Sequence, residues 1–291
     1  MTRVAQLCLG TVQFGLPYGI TNQHGQQVPA SEVRRILSLA SQSGIELFDT
    51  AQAYGDAETV LGNCWLSHQS RRLISKLPPG APMHTWEMSL AKSMARLKTS
   101  KLDSFILHRS SDLLSKDGEN LLSWLEGLRS RGLVERIGVS IYNVSDLNSL
   151  PLDRLQLVQL PLSVYDQRLL RDGTIEMLCE LGISVHARSI FLQGLLLQSP
   201  ANWPDRISPL FRDHHARWLK HLHYEELSPL AASLGFVRSC HAVEAVLVGV
   251  QSLLELTQVL EAWRNSESVV HSSYSEFAWD TASDLDPRCW S

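Results

Sequence analysis

Short apolar runs, separated by longer stretches of helical period, set the pattern of the chain. Runs suited to buried strands are QLCLG (6–10), IELFD (45–49), RLISK (72–76), SFILH (104–108), RIGVS (136–140), LQLVQL (155–160), ISVHA (183–187) and AVLVG (245–249). Most are continuously apolar rather than alternating, as in parallel strands covered on both faces. Between them apolar residues recur on single helix faces. Val33, Ile36, Leu37 and Ala40 form one such face, with Ser31 the expected N-cap. Trp86, Leu90, Met94 and Leu97 form another. Leu121, Leu122, Leu125 and Leu128 precede a stop at Gly132, and Ile175, Leu178 and Leu181 precede one at Gly182. About eight alternations of strand and helix predict an α/β fold of the (β/α)8 TIM-barrel type. The alternative, a doubly wound open sheet, predicts a glycine-rich fingerprint after the first strand, and GTVQFG (10–15) does not fit it.

Two stretches fall outside the alternation. Residues 193–211 carry three prolines and no clear period, and are expected to form a lid-like loop over the barrel. From about residue 265 the chain is rich in serine and acids with interspersed aromatics, and an irregular tail draped over the barrel is expected. With no internal repeat, the 291 residues are expected to form one domain.

Composition narrows the classes of function. A hydrophobic fraction of 44% supports a large core, and a net charge of −4 gives no global basic field for nucleic acid or an anionic membrane. Five scattered cysteines without a CxxC pair read as reduced thiols of a cytoplasmic protein. Neither a secretory leader nor a membrane-spanning run is expected. The histidines of DHHARWLKHLH (213–223) lack the i, i+4 spacing of a helical metal pair and are expected on a solvated helix face, so no metal site is assigned.

The candidate chemistry lies at the ends of the predicted strands, where barrel active sites are built. The second strand ends in Asp49, the third in Lys76 and the fourth in His108, and Tyr54 follows Asp49 by five positions. A phenol is a poor acid at neutral pH unless a cation lowers its pKa. Lys76 can supply that cation, Asp49 can hold it, and His108 can hydrogen-bond the reacting oxygen. Such a set delivers a proton to a developing alkoxide and needs a partner that delivers hydride. Taken singly, Asp49 could cap a turn and Tyr54 could be a half-buried aromatic. Glu58 is expected to pair locally. Trp65, Trp124 and Trp263 suit helix packing, Trp203 and Trp218 suit either packing or a substrate pocket, and Arg109 could meet substrate or pair with Asp112.

The motifs LGTVQFG, FDTAQAYGDAE, SKL and LHRSS, followed by IGVS (137–140), VQLPLSVYDQR (158–168), FLQGLLL (191–197) and VLVGVQS (246–252), resemble in order and spacing those of the aldo-keto reductase family. The resemblance spans nearly the whole chain. It implies a barrel that reduces a small carbonyl compound with NADPH or NADH, and a catalytic tetrad of Asp49, Tyr54, Lys76 and His108. It further implies that Ser140 and Gln159 bind the nicotinamide carboxamide. Leu192, Gln193 and Gly194 would bind the pyrophosphate, and Gly249, Gln251 and Ser252 the adenosine end, at a helix start whose amides suit an anion. The closing LDPRCW (285–290) resembles the tail of a bacterial subgroup associated with sugar and polysaccharide metabolism. Four positions depart from the family pattern. Ile141 replaces an asparagine, Arg188 stands where an aromatic ring stacks on the nicotinamide, and Gln251 and Val259 replace an arginine and an asparagine at the adenosine site. Without that arginine a 2′-phosphate loses a bidentate partner, which brings NADH into consideration. Two further readings remain: a cofactor-binding regulatory protein with little turnover, and a lyase or isomerase with a Schiff base on Lys76.

Overall fold

The computed structural model describes residues 5–19, 22, 25–65, 70–267 and 269–290, so the first four residues of the N-terminal stretch lie outside it. Eight parallel strands close in sequence order into a barrel: β1 (Gln6–Gly10), β2 (Leu47–Asp49), β3 (Arg72–Leu77), β4 (Leu102–Leu107), β5 (Val134–Ser140), β6 (Leu157–Pro161), β7 (Ser184–Arg188) and β8 (Val243–Gly249). Each coincides with one of the apolar runs. The two faces of the strands separate cleanly. Cys8, Leu47, Ile74, Ile106, Leu157 and Ala245 fill the barrel as a small inner cluster. Their neighbours Leu9, Phe48, Leu73, Phe105, Val158 and Val246 belong to the larger core beneath the helices. This is the period of two that a strand imposes on its side chains.

Helices Ala30–Gln42, Ala57–Cys64, Trp86–Leu97, Gly118–Ser130, Thr174–Glu180, Pro209–Tyr224, Pro229–Arg238 and Leu253–Asn265 cover the barrel. The expected faces are buried: Val33, Ile36, Leu37 and Ala40 in the first, and Leu121, Leu122, Leu125 and Leu128 in the fourth. Ser31 is not a cap. Pro29 takes the N-cap position in extended conformation, and the helix starts at Ala30. Leu181 lies past the end of its helix and is exposed, with Gly182 left-handed after it.

One alternation is missing. Between β5 and β6 the chain makes only two 3-10 turns, Val144–Leu147 and Leu152–Arg154. Asn143 and Asp146 form a reciprocal capping box there, Ser149 is left-handed, and Pro151 follows. These residue types compete with a helix and favour turns.

Residues 193–211 are compact rather than open. The 3-10 turns Leu192–Leu197 and Pro200–Asn202 lead into the helix that starts at Pro209. The Arg212 guanidinium donates to the carbonyls of Pro200, Trp203 and Pro204, and Trp203 Nε1 donates to Leu195 O at 3.0 Å. The expected solvated histidine face holds for the exposed His223, whereas His214 and His215 are buried. His214 Nε2 donates to Phe277 O at 2.9 Å, and His215 Nε2 donates to Gln198 O at 2.8 Å, so His215 Nδ1 accepts from the Tyr165 hydroxyl at 2.7 Å. Burial holds both imidazoles below their ordinary pKa, His215 at about 4, and both are neutral packing groups. The tail supplies part of their cover through the turn His271–Phe277 and through Trp279, whose N–H donates to Tyr165 O at 2.9 Å. Among the described residues no helix is long and apolar enough to cross a membrane.

Candidate active site

The strand period that fills the barrel also builds its rim. Two residues beyond the inner residue on the same face come Asp49 after Leu47, Lys76 after Ile74, His108 after Ile106, Gln159 after Leu157 and Arg188 after His186. Register sets Ser140 level with Gln159 and steps the others: Asp49 pairs with Ile74, Lys76 with Ile106 and Gln159 with His186, so Lys76, His108 and Arg188 each stand two residues further along. All six side chains, from Asp49 to Arg188 and including Ser140, line one cavity of about 610 Å³ at the C-terminal ends of the strands, together with Tyr54. That volume suits a ligand of cofactor size.

Lys76 is the hub. Its ammonium, 2% exposed, donates to Asp49 Oδ1 at 2.5 Å, to Thr50 O at 3.0 Å and to the Tyr54 hydroxyl at 3.4 Å. The second Asp49 oxygen accepts from Gln159 Nε2 at 2.5 Å. Burial alone would push the Lys76 pKa down, but Asp49 and Tyr54 outweigh it and hold the ammonium above its ordinary value. Tyr54 departs from the expectation that its neighbouring cation wins. Removal of water raises the phenol above its ordinary value of 10.0, and the opposing pull of Lys76 and Arg188 is smaller. His108 stands edge-on to Tyr54, ring centres 5.7 Å apart. Burial, reinforced by Lys76, lowers its pKa to about 4, so it is neutral at physiological pH.

Tyr54 is set by a close backbone approach. A Cβ on Gly15 would lie 1.8 Å from Tyr54 O, and one on Gly55 would lie 2.4 Å from Gly15 O. Gly55 is also left-handed at φ 55°. The loops after β1 and β2 therefore interlock through two glycines.

The other predicted residues divide. Gln193, Gly194, Gly249 and Gln251 line the cavity, whereas the Leu192 side chain is buried in the core and Ser252 caps the helix Leu253–Asn265 by accepting from Glu255 N. Ser189, Leu192 and Gln193 are left-handed, a cluster of unusual backbone at the cavity edge. Arg188 is tied down. It donates to Ile141 O at 2.7 Å, Ser140 Oγ at 3.3 Å and Ser189 Oγ at 3.2 Å, with its guanidinium carbon 4.1 Å over the Tyr142 ring. Arg109 pairs with Asp112 through Nε at 2.8 Å, and buried Glu58 accepts from Ser75 and Arg96. Trp203 and Trp218 are buried in packing and do not line the cavity.

Residues outside the expected set also line it, among them Gln13, Tyr18, Tyr142 and Glu255. Glu255 carried a readable signal, the S-x-x-E spacing from Ser252. Three buried polar atoms without a partner among the described residues, Gln13 Oε1, His108 Nδ1 and Gln159 Oε1, belong to residues that line this cavity. Unpaired buried acceptors at a cavity are what a polar ligand with N–H and O–H donors would satisfy. The residues present therefore fit a dinucleotide.

A family model described as "Aldo/keto reductase family" matches residues 6–273. Solved structures share the fold. The holo form of an aldo-keto reductase from Bacillus halodurans aligns with a TM-score of 0.74 at 18% identity, covering 97% of this chain and 92% of that one. An aldo-keto reductase from Klebsiella pneumoniae in complex with NADPH aligns at 0.67 and 19% identity, covering 93% and 89%. A putative aldo-keto reductase from Pseudomonas aeruginosa aligns at 0.66 and 22% identity, covering 91% and 92%. With a closed parallel barrel, a buried Asp–Lys–Tyr hub at its rim and a family match over nearly its whole length, the chain belongs to the aldo/keto reductase family and is an NAD(P)-dependent oxidoreductase.

Proposed function

We propose that the protein reduces a small polar aldehyde or ketone, with Tyr54 as the proton donor. The observation that carries this reading is the Lys76 ammonium, buried between the Asp49 carboxylate and the Tyr54 hydroxyl. A nicotinamide dinucleotide held in the cavity would supply the hydride for the carbonyl carbon. Tyr54 donates its proton to the oxygen as negative charge develops there, and the adjacent ammonium stabilises the phenolate left behind. Asp49 positions Lys76 and keeps it charged. Neutral His108 orients the carbonyl oxygen by a hydrogen bond. Ser140 and Gln159 Oε1 would hold the carboxamide, and the left-handed backbone around Gln193 and Gly194 would take the pyrophosphate. The lid-like role of the loop that starts at residue 193 rests on Gln193, Gly194, Leu197 and Gln198 lining the cavity. A sugar derivative as substrate and a cytoplasmic location rest on the tail motif and on the free cysteines.

The test is single-turnover oxidation of bound NADH or NADPH by a panel of aldehydes, followed by dinucleotide absorbance. Tyr54→Phe is expected to lower the rate by about 10²–10⁴-fold with dinucleotide binding nearly unchanged. Retained turnover in that variant would remove Tyr54 from the role. A second reading, a cofactor-binding protein with little turnover, is favoured by Arg188, whose bonds fill one side of the cavity. It predicts tight binding and no oxidation by any aldehyde of the panel.

A further inference from the structure

We propose that this chain selects its dinucleotide at the 2′ position of the adenosine ribose, taking NADH over NADPH, and that Glu255 sets the choice. The inference rests on the reading of the cavity as a dinucleotide site.

The far end of the cavity, away from Tyr54, is lined by Gln251, Glu255, Gln258 and Val259. Among the described lining residues the cations are Lys76 and Arg188, both at the opposite end, and Lys76 is held by Asp49 while Arg188 is held by Ser140 and Ile141. A phosphate monoester carries about −1.5 to −2 charges near neutral pH, and would meet no cation at this end. The start of the helix Leu253–Asn265 would normally compensate through its free amides. Here three amides around that start are taken by the protein's own oxygens. Gln251 N–H donates to Glu255 Oε2 at 2.7 Å, Leu253 N–H donates to Glu32 Oε1 at 2.7 Å, and Glu255 N–H donates to Ser252 Oγ at 3.1 Å. Two carboxylates thus occupy the helix start where an anion would bind. Glu32 comes from the helix Ala30–Gln42, and its Arg35 partner is 63% exposed and lines no part of the cavity.

A hydroxyl meets the opposite situation. It can donate to a carboxylate, and Glu255 Oε1 has no partner among the described residues. The same side chain therefore accepts a 2′-hydroxyl and repels a 2′-phosphate. Glu255 lines the cavity and Glu32 does not, which makes Glu255 the residue in reach of the ligand.

The experiment is equilibrium titration of the full-length protein with NADH and with NADPH, read by tryptophan fluorescence or calorimetry and independent of turnover. NADH is expected to bind at least about tenfold more tightly, from charge repulsion alone. The ratio should fall as added salt screens the phosphate from Glu255. Glu255→Gln is expected to narrow the ratio mainly by strengthening NADPH binding. Gln251→Arg, which leaves the cap intact, should narrow or invert it. NADPH binding as tightly as NADH to the unmodified protein would overturn the inference and leave the reductase reading standing. An unchanged ratio in both variants would also overturn it. Failure of both dinucleotides to bind would sink the reductase reading and this inference together.

Discussion

At the scale of single residues, the site is governed by which ionic form each group holds. Tyr54 stays protonated because the protein strips water from it more effectively than Lys76 draws off its proton. His108 stays neutral because burial and Lys76 act in the same direction. The pH dependence of kcat/KM for carbonyl reduction follows from these two signs. Tyr54, the proposed donor, loses its proton only above the ordinary phenol value of 10.0, and His108 gains one only near pH 4. A flat profile from about pH 6 to 9 is expected, with the rate falling as pH rises through the Tyr54 ionisation. An inflection near 6.5 that disappears in His108→Gln would show that the imidazole titrates in the working range. The gathering of Asp49, Tyr54, Lys76 and His108 at one cavity could be read from sequence because each ends or follows an apolar run. Glu255 carries in sequence only the S-x-x-E spacing of a helix start. Only the fold shows that the cap also lines a cavity.

At the scale of elements, position depends on backbones that touch. Gly15 and Gly55 bring the loop after β1 against the loop that carries Tyr54. Gly15→Ala would force a Cβ into Tyr54 O and Ala57 N, both backbone atoms that cannot rotate away. The expected result is about 1–3 kcal/mol of lost stability by denaturant titration. A fall in kcat/KM of about 10²-fold should accompany it, as misplacement of a proton donor by an ångström produces. Full activity in a destabilised Gly15→Ala would show that the two loops move independently. All eight strands were legible because both their faces are buried and their apolar runs are continuous. The segment between β5 and β6 was not, because Asn143, Asp146 and Pro151 turn the chain where simple alternation expects a helix. The face of His214 and His215 was misjudged for another reason. Histidine counts as polar in a pattern, yet carbonyls of Gln198 and Phe277, distant in sequence, satisfy both rings inside the core.

At the scale of the whole molecule, the barrel divides its labour between two ends. Opposite the cavity, Arg136 ties four strands together. It donates to Asp103 Oδ1 at 2.5 Å, to Glu244 Oε1 at 2.6 Å and to Ser184 Oγ at 3.3 Å, and Arg72 completes the group through Asp103. Hydrogen bonds from Arg136, Ser184 and His186 overcome the effect of burial and hold the Glu244 carboxyl well below its usual range. Arg136→Ala leaves the largely buried Glu244 carboxylate without its arginine and Asp103 with Arg72 alone, and should cost about 3–5 kcal/mol in a denaturation experiment. Catalytic constants measured well below the melting temperature should change little, since among the described residues the side-chain hydrogen bonds of Asp49, Lys76 and Arg188 do not reach this network. A large fall in kcat would mean that the two ends are mechanically coupled.

The inner layer also gives the molecule an internal clock. Cys8 is fully buried inside the barrel, and burial raises its thiol well above the ordinary 9.0, whereas Cys179 and Cys289 are exposed. A thiol-specific reagent should consume the two exposed sulfurs at once and reach Cys8 only when neighbouring strands part. The slow phase of labelling, read at Cys8 by mass spectrometry, then times the opening of the barrel itself. Arg136→Ala should speed that phase, and a dinucleotide held at the rim should slow it.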